Sequence, residues 1–212
     1  MKKGDRVFRE ILYRVYEQGE RFMSQKTLAQ VCELSLGSVN PLIARLGQLG
    51  AIEKKPLGFR VIDPKKILLY WAGKRNLPAD VVYSTRSPLS VSSIEVQMPP
   101  GAILTGCSGY RIRFGDVPAD YDEVYVYADP RDVKRKFPAR EVYRKNVFVL
   151  RSDPHLERLS EGGIVPLAQL YVDLWQLGAP ANRFVDELER KLELAQVGAL
   201  EAMIRKVREK KS

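Results

Sequence analysis

The chain is poor in the residues that build metal centres. It carries two cysteines, Cys32 and Cys107, and a single histidine, His155, among 212 residues. The cysteines lie in apolar surroundings and form no CxxC pair. A zinc site needs about four ligands at a recognisable spacing, so no metal centre is expected. Long apolar runs are also absent: none reaches the roughly 20 residues that span a bilayer. No signal-peptide pattern opens the chain, and Met1-Lys2-Lys3-Gly4 leads straight into an amphipathic helix. These absences predict a cytoplasmic protein with no membrane association.

Catalytic signatures are missing too. No glycine loop of the P-loop or dinucleotide type occurs. His155 stands alone between Pro154 and Leu156, so no serine or cysteine nucleophile has a base beside it in sequence. Acidic residues do gather at Asp116, Asp120, Asp122, Glu123 and Asp129, near Lys134 and Lys145. Carboxylates beside a strand can hold Mg²⁺ for phosphodiester hydrolysis. That chemistry wants an acidic-x-Lys pair on the strand, and Glu123-Val124-Tyr125 has no Lys. The cluster therefore reads as a solvated loop before a strand. The expectation is a protein that is not an enzyme and needs no cofactor.

What is present points elsewhere. Apolar residues make up 45% of the chain and charged residues 29%, enough for a packed core under a charged surface. The net charge of +9 is uneven. Residues 1–63 hold 11 Lys+Arg against 7 Asp+Glu, residues 64–150 hold 14 against 9, and residues 151–212 hold 10 of each. The basic excess sits in the first two thirds, as a surface facing phosphates requires.

The most informative stretch is Ser24 to Asp63. At its centre, Val39, Leu42, Ile43 and Leu46 recur at intervals of three and four and so share one face of a helix. The other face carries Gly37, Ser38, Asn40, Pro41, Ala44, Arg45 and Gln48, small or polar residues suited to base edges and phosphates. Ser35 is placed to cap this helix, and Leu49-Gly50 to stop it. Pro41 deletes a backbone bond inside the pattern. Either the helix starts later, with Ser38 as its cap, or it is bent. Before it, Ser24–Cys32 reads as a short helix with Leu28, Ala29 and Val31 or Cys32 inward, and Glu33-Leu34 as the turn. After it, residues 51–55 and 59–63 read as strands joined by Pro56-Leu57-Gly58, a hairpin with basic residues near its tip.

Helix, turn, helix and basic hairpin in this order resemble the winged helix-turn-helix domains of prokaryotic transcriptional regulators, over residues 5–63. The resemblance rests on Ser-Leu-Gly-Ser-Val-Asn followed by Leu-Ile-x-x-Leu. It implies double-stranded DNA as the partner, with the second helix in the major groove. Ser38, Asn40 and Arg45 are then the candidates for base-edge contacts, with Ser35 and Gly37 beside them at the helix start. Gln25, Lys26, Lys54, Lys55 and Arg60 are the candidates for phosphate contacts. A homodimer is expected, because one such domain reads only a few base pairs.

The flanking segments complete the reading. Residues 5–18 form a first helix with Val7, Phe8, Ile11, Leu12 and Val15 inward and Arg6, Arg9, Arg14 and Glu17 outward. It buttresses the helix-turn-helix or joins a dimer interface. Asp63-Pro64 opens a connector helix over 65–74, with Ile67, Leu68, Tyr70 and Trp71 as its apolar side. Beyond Pro78, Val81-Val82-Tyr83 reads as a strand and Ser87-Pro88 as the start of a helix to about Gln97. Residues 102–114 are ambiguous: Gly106 and Gly109 argue against a stable isolated helix, and Tyr110–Phe114 alternates as a strand would. Glu123–Ala128 and Asn146–Leu150 read as strands, with a short basic helix between them capped by Asp129-Pro130. This suggests a small mixed sheet covered by helices. Residues 165–175 form an apolar helix against that sheet. A further helix follows Pro180, with Phe184, Val185, Leu188, Leu192 and Ala195 inward. Leu200, Ile204 and Val207 make a last amphipathic stripe.

The segments Ala102–Tyr110, Tyr125-Val126-Tyr127 and Ile164–Leu174 resemble AbiEi-type regulators, the antitoxins of type IV toxin–antitoxin systems. That resemblance, over most of residues 5–195, implies autorepression through operator DNA and a nucleotidyltransferase-like toxin as a partner. The expected fold class is α+β. A winged helix-turn-helix domain would occupy residues 1–63, a connector helix 64–78, and a mixed α/β domain with a helical C-terminal part 79–212. The expected function is transcriptional regulation. A winged-helix protein–protein adaptor, or a nucleic-acid-processing enzyme, are the alternatives.

Overall fold

A computed structural model describes residues 3–140 and 144–194. The fold is mixed α+β with two small sheets. Its first part comprises α1 (Lys3–Glu17), β1 (Phe22–Met23), α2 (Gln25–Val31), α3 (Leu36–Gln48), β2 (Ile52–Lys55), β3 (Gly58–Val61) and α4 (Pro64–Ala72). Short side chains set the helix starts. Ser24 accepts from the Thr27 N–H at 3.0 Å, Ser35 from Ser38 at 3.2 Å, and Asp63 from Lys66 at 3.1 Å. Each satisfies a first-turn amide that has no partner inside its helix.

α3 thus begins at Leu36 and runs through Pro41, with Ser35 as its cap and Ser38 in its first turn. The carbonyl left without a helical partner by Pro41 belongs to Gly37, an exposed residue, so the missing bond is not lost in a buried setting. Between α2 and α3 the chain turns at Glu33, whose φ of 54° is left-handed, and Leu34 N donates to Ala29 O at 2.9 Å. This is a Schellman-type stop made without glycine. Cys32, not Val31, is the fully buried partner of Leu28 and Ala29.

The first sheet has the order β1-β3-β2, all antiparallel. β1 had no clear signal in the sequence, being two residues long. Gly58 pairs with Lys55, so it belongs to the strand and the hairpin loop is Pro56-Leu57 alone. A Cβ on Gly58 would sit 2.3 Å from the Met23 carbonyl oxygen, and only glycine admits β1 at that distance.

The second part comprises β4 (Val81–Thr85), α5 (Val91–Val96), β5 (Ile103–Thr105), α6 (Gly106–Phe114), β6 (Val124–Tyr127), α7 (Pro130–Lys136), β7 (Val147–Leu150), α8 (Pro154–Leu159) and α9 (Leu167–Trp175). A further helix, α10, spans 181–194. The second sheet has the order β4-β7-β6-β5, with β6 and β7 parallel across the α7 crossover and the other pairs antiparallel.

Two expectations are corrected here. α5 starts at Val91 with Ser90 as its cap. Ser87 is instead tied to β7, its N–H donating to Asn146 Oδ1 at 2.8 Å and its carbonyl accepting from Asn146 Nδ2 at 3.0 Å. Residues 110–114 are helical, not a strand. Gly109 lets α6 press against Leu104 and Leu170, where a Cβ would meet the Leu104 carbonyl oxygen at 3.0 Å. The glycine that weakens an isolated helix is what lets this one pack.

α9 touches β5 as expected, but also packs on α1, α4 and α6. One continuous core therefore joins the first four helices to Tyr110, Tyr127, α9 and the inward residues Phe184, Val185, Leu188 and Leu192 of α10. The opposite face of the second sheet, with Val124, Val126, Val147 and Val149, packs on Ile94 and Val133. The alternation along β6 splits these two cores by simple strand periodicity. Ala195 and the stripe of Leu200, Ile204 and Val207 lie outside the described residues.

α1 is buried on more than the one face predicted. Arg9, expected in solvent, is fully buried, and so are Asp5 and Glu10. The reason is that α1 meets α4 on one side and α8 and α9 on another.

Candidate nucleic-acid interface

Val39, Ile43 and Leu46 anchor α3 in the core, while Gly37, Asn40, Pro41, Ala44, Arg45 and Gln48 are exposed. At about 100° per residue, Gly37, Pro41, Ala44 and Gln48 run down the middle of the outward face. Asn40 and Arg45 lie on opposite flanks of it, about 140° apart by the same arithmetic. Ser38 shares the Arg45 flank. Its hydroxyl lies 2.9 Å from that of Ser35, and Ser35 is already the cap. Both serines are thus engaged at the helix N-terminus. Around them the free first-turn amides and the positive end of the helix dipole form an anion-binding end.

Arg45 is held by neighbours. Its guanidinium donates to Gln48 Oε1 at 3.2 Å and lies 5.9 Å from the centre of the Tyr70 ring on α4. The Lys74 ammonium also sits on that ring, at 4.9 Å. Lys74 was missed by the sequence reading, since only the packing of α4 beside α3 brings it to Arg45. Tyr70, read as part of the apolar side of its helix, is half-buried and carries both cations.

The basic residues of the hairpin do not act as one set. Cross-strand register pairs Glu53 with Arg60 and Lys54 with Phe59, so Arg60, Glu53 and Lys55 share the outer face and Lys54 projects from the other. Lys55 is neutralised by Glu53 at 2.6 Å. On α4, Lys65 is paired with Glu189 and with Glu193, the latter at 2.9 Å. Among the described residues, Lys26, Arg45, Lys54, Arg60 and Lys74 make no ion pair and are exposed. Gln25, in the first turn of α2 beside Lys26, is half-buried.

Away from this surface, the one histidine has an unexpected setting. Arg9 Nη1 donates to His155 Nδ1 at 3.0 Å, which leaves Nε2 to donate to Glu10 Oε2 at 3.0 Å. Cys32 Sγ lies 3.9 Å from the same Nε2 and donates to the Arg6 carbonyl at 3.5 Å. A cysteine and a histidine thus meet in space, although their positions in sequence did not suggest it. The pair is closed to solvent, however, and burial, with the charge of Glu10, pushes the Cys32 thiol up to about 12. Burial also holds His155 below its ordinary value, against the pull of Glu10. A protonated thiol beside a neutral imidazole is not an activated nucleophile.

In the acidic stretch, Asp122 pairs with Arg144 at 2.8 Å and Glu123 accepts from the Tyr125 hydroxyl at 2.9 Å. Among the described residues no cluster of His, Cys, Asp and Glu is arranged to hold a metal ion, and no helix is long and apolar enough to cross a membrane. Comparison with protein-family models, curated proteins and solved structures returned no match to this chain.

Proposed function

We propose that the protein binds double-stranded DNA through a winged helix-turn-helix made of α2, α3 and the β2–β3 hairpin, and regulates transcription by occupying a promoter. One observation carries the reading: α3 turns a face of glycine, alanine, asparagine and glutamine outward, with exposed cations nearby that no carboxylate among the described residues neutralises. Small side chains let a helix seat deeply in the major groove, while Lys26, Arg45, Lys54, Arg60 and Lys74 reach phosphates or base edges. Residues 79–212 would then serve in regulation, oligomerisation or partner binding. Assembly as a homodimer on paired half-sites, and an antitoxin-like role beside a nucleotidyltransferase-like toxin, belong to the same proposal.

Fluorescence anisotropy tests it, using DNA from upstream of the protein's own gene and a scrambled control across a salt series. Preference for the upstream DNA that survives physiological salt is the expected result. Weak binding to both, lost as salt rises, would leave only non-specific charge.

A second reading, a protein–protein adaptor, has its own observation. Phe22 and Ile62 are about half exposed, and Leu57 at the hairpin tip is 94% exposed. Phe22 pairs with Arg60, which puts an aromatic ring on the outer face of the hairpin sheet. Such apolar exposure suits a protein partner. Salt separates the readings, because an apolar contact does not weaken steeply with it.

A further inference from the structure

We infer that the cleft between the C-terminal end of α9 and the Tyr125–Phe148 face of the second sheet binds a small organic cation, an amine on an aromatic or branched alkyl body. The cleft encloses about 320 Å³, near the lower bound for small-molecule sites. Leu77, Val81 and Leu177 line it with Phe148 and Tyr125. The rings of Tyr125 and Phe148, which both line the cleft, stack on each other, 4.5 Å between centres and 8° from parallel, so each keeps one outer face uncovered by the other.

Its lining holds three charged side chains, Asp122, Glu123 and Arg144. Two carboxylates reach the cleft, Asp122 and Glu123. Arg144 neutralises Asp122 at 2.8 Å. Glu123 is half-buried and held by the Tyr125 hydroxyl at 2.9 Å, and no cation among the described residues meets it. That leaves one negative charge beside an apolar chamber. Its field is felt by the neighbours. Burial and then Glu123 push the Cys107 thiol up to about 12, and the same two causes raise the Tyr125 phenol.

A carboxylate partly stripped of water and lacking a counter-charge gains most from an ammonium placed against it. An outer ring face of the Tyr125–Phe148 stack beside that ammonium adds cation–π attraction. An anion entering the same cleft meets Glu123, while the one cation of the lining, Arg144, is already paired with Asp122. A neutral molecule gains the apolar contact only. The cation assignment is independent of DNA binding.

The test uses the intact protein, titrated calorimetrically with 2-phenylethylamine, 2-phenylethanol and phenylacetate. The amine should bind at least about tenfold tighter than the alcohol, with the acid weakest. Glu123→Gln should remove about tenfold of the amine's affinity and leave the alcohol unchanged. Leu177→Trp, which fills the chamber, should abolish both. Melting curves confirm that each variant is folded. Should Glu123→Gln fail to fold, the ranking of the three probes on the unaltered protein decides. Absence of saturable amine binding at millimolar concentration overturns the inference. Equal binding of all three probes, or an amine affinity indifferent to Glu123→Gln, overturns it as well.

Discussion

Arg9 on the first helix grips Asp153 with both terminal nitrogens, Nη1 to Oδ1 at 3.0 Å and Nη2 to Oδ2 at 3.2 Å, across 144 positions of chain. Neither residue is open to solvent. Arg9 Nε donates to Gln169 Oε1 at 2.9 Å, and Gln169 Nε2 donates to Asp173 Oδ1 at 2.9 Å and to the Tyr127 hydroxyl at 3.1 Å. Asp173 accepts in turn from Arg75, Thr105 and Tyr127. A buried polar chain thus ties α1 to α8, α9 and the second sheet. Burial alone would raise the Asp153 carboxyl, but the charge and hydrogen bonds of Arg9 outweigh it and hold the group below its ordinary value.

Breaking this pair should be costly. Arg9→Met leaves the buried Asp153 with only the longer Arg6 contact at 3.9 Å and the Leu156 amide, and up to about 3–5 kcal/mol of folding stability should be lost. Adding Asp153→Leu to Arg9→Met should recover part of that loss, because the poorly compensated charge is gone, although the cap on Leu156 N goes with it. Urea denaturation of the two single variants and the double variant measures both effects. Additive losses would mean that the two side chains are not coupled.

Acid should weaken the fold in two stages. His155 is held below its ordinary 6.5 in the folded protein, so the unfolded chain takes up a proton first. Its stabilising contribution is complete above about 6.5 and is lost as pH falls through the lowered folded value. Glu10 and Asp153 are also lowered. Burial opposes the shift in both, and hydrogen bonds from His155 and Arg14, or the charge of Arg9, prevail. Their contributions are lost at lower pH, below the ordinary carboxylate range. The melting temperature should therefore fall between pH 7 and 5.5, and His155→Gln should flatten that slope without removing the second drop.

Two turns carry avoidable strain. Glu33 at φ 54° and Leu57 at φ 66° occupy the left-handed region that disfavours side chains with a Cβ. Glu33→Gly and Leu57→Gly should each stabilise the protein by about 1 kcal/mol, read from chemical denaturation midpoints. The Glu33 change also removes its ion pair with Arg6, but at 3.8 Å and with an exposed carboxylate that pair contributes little. Gly58→Ala has the opposite sign, since its Cβ would collide with the Met23 carbonyl.

On the DNA reading, the flanks of α3 and the hairpin should behave differently. Arg45→Ala should cost about 1–3 kcal/mol on the preferred sequence and relax the preference. Lys54→Ala should weaken all sequences alike and lower the slope of log affinity against log salt by about 1. Lys55→Ala should do less, because Glu53 already neutralises that ammonium. Anisotropy titrations at several salt concentrations distinguish the three. Unchanged binding by Arg45→Ala would remove α3 from a reading role.

Much of this molecule is written locally. Ser24, Ser35, Asp63 and Asp129 each cap a helix through an amide two or three residues on, and a contact that short needs no tertiary partner. The inward stripes of α1, α3 and α10 follow helix periodicity, and β6 follows the alternation of Val124–Tyr127. Of the exposed cations of the candidate interface, Arg45 was legible for the same reason, as a residue off the apolar face of its helix.

What the sequence determined by itself was therefore several helix starts, most of the apolar faces and the excess of positive charge in the first 150 residues. Only the tertiary structure decided which charges remain free. It neutralised Lys55 and Lys65, left Lys54 and Arg60 unpaired on opposite faces, and drew Lys74 to Arg45 through Tyr70. It also buried Arg9, joined His155 to Cys32, and turned residues 110–114 from an apparent strand into a helix. The physical reason is plainest for the longest-range of these contacts. The burial of Arg9, the meeting of His155 with Cys32 and the pairing of Lys65 with Glu193 depend on partners more than a hundred positions away, and no local pattern carries that information.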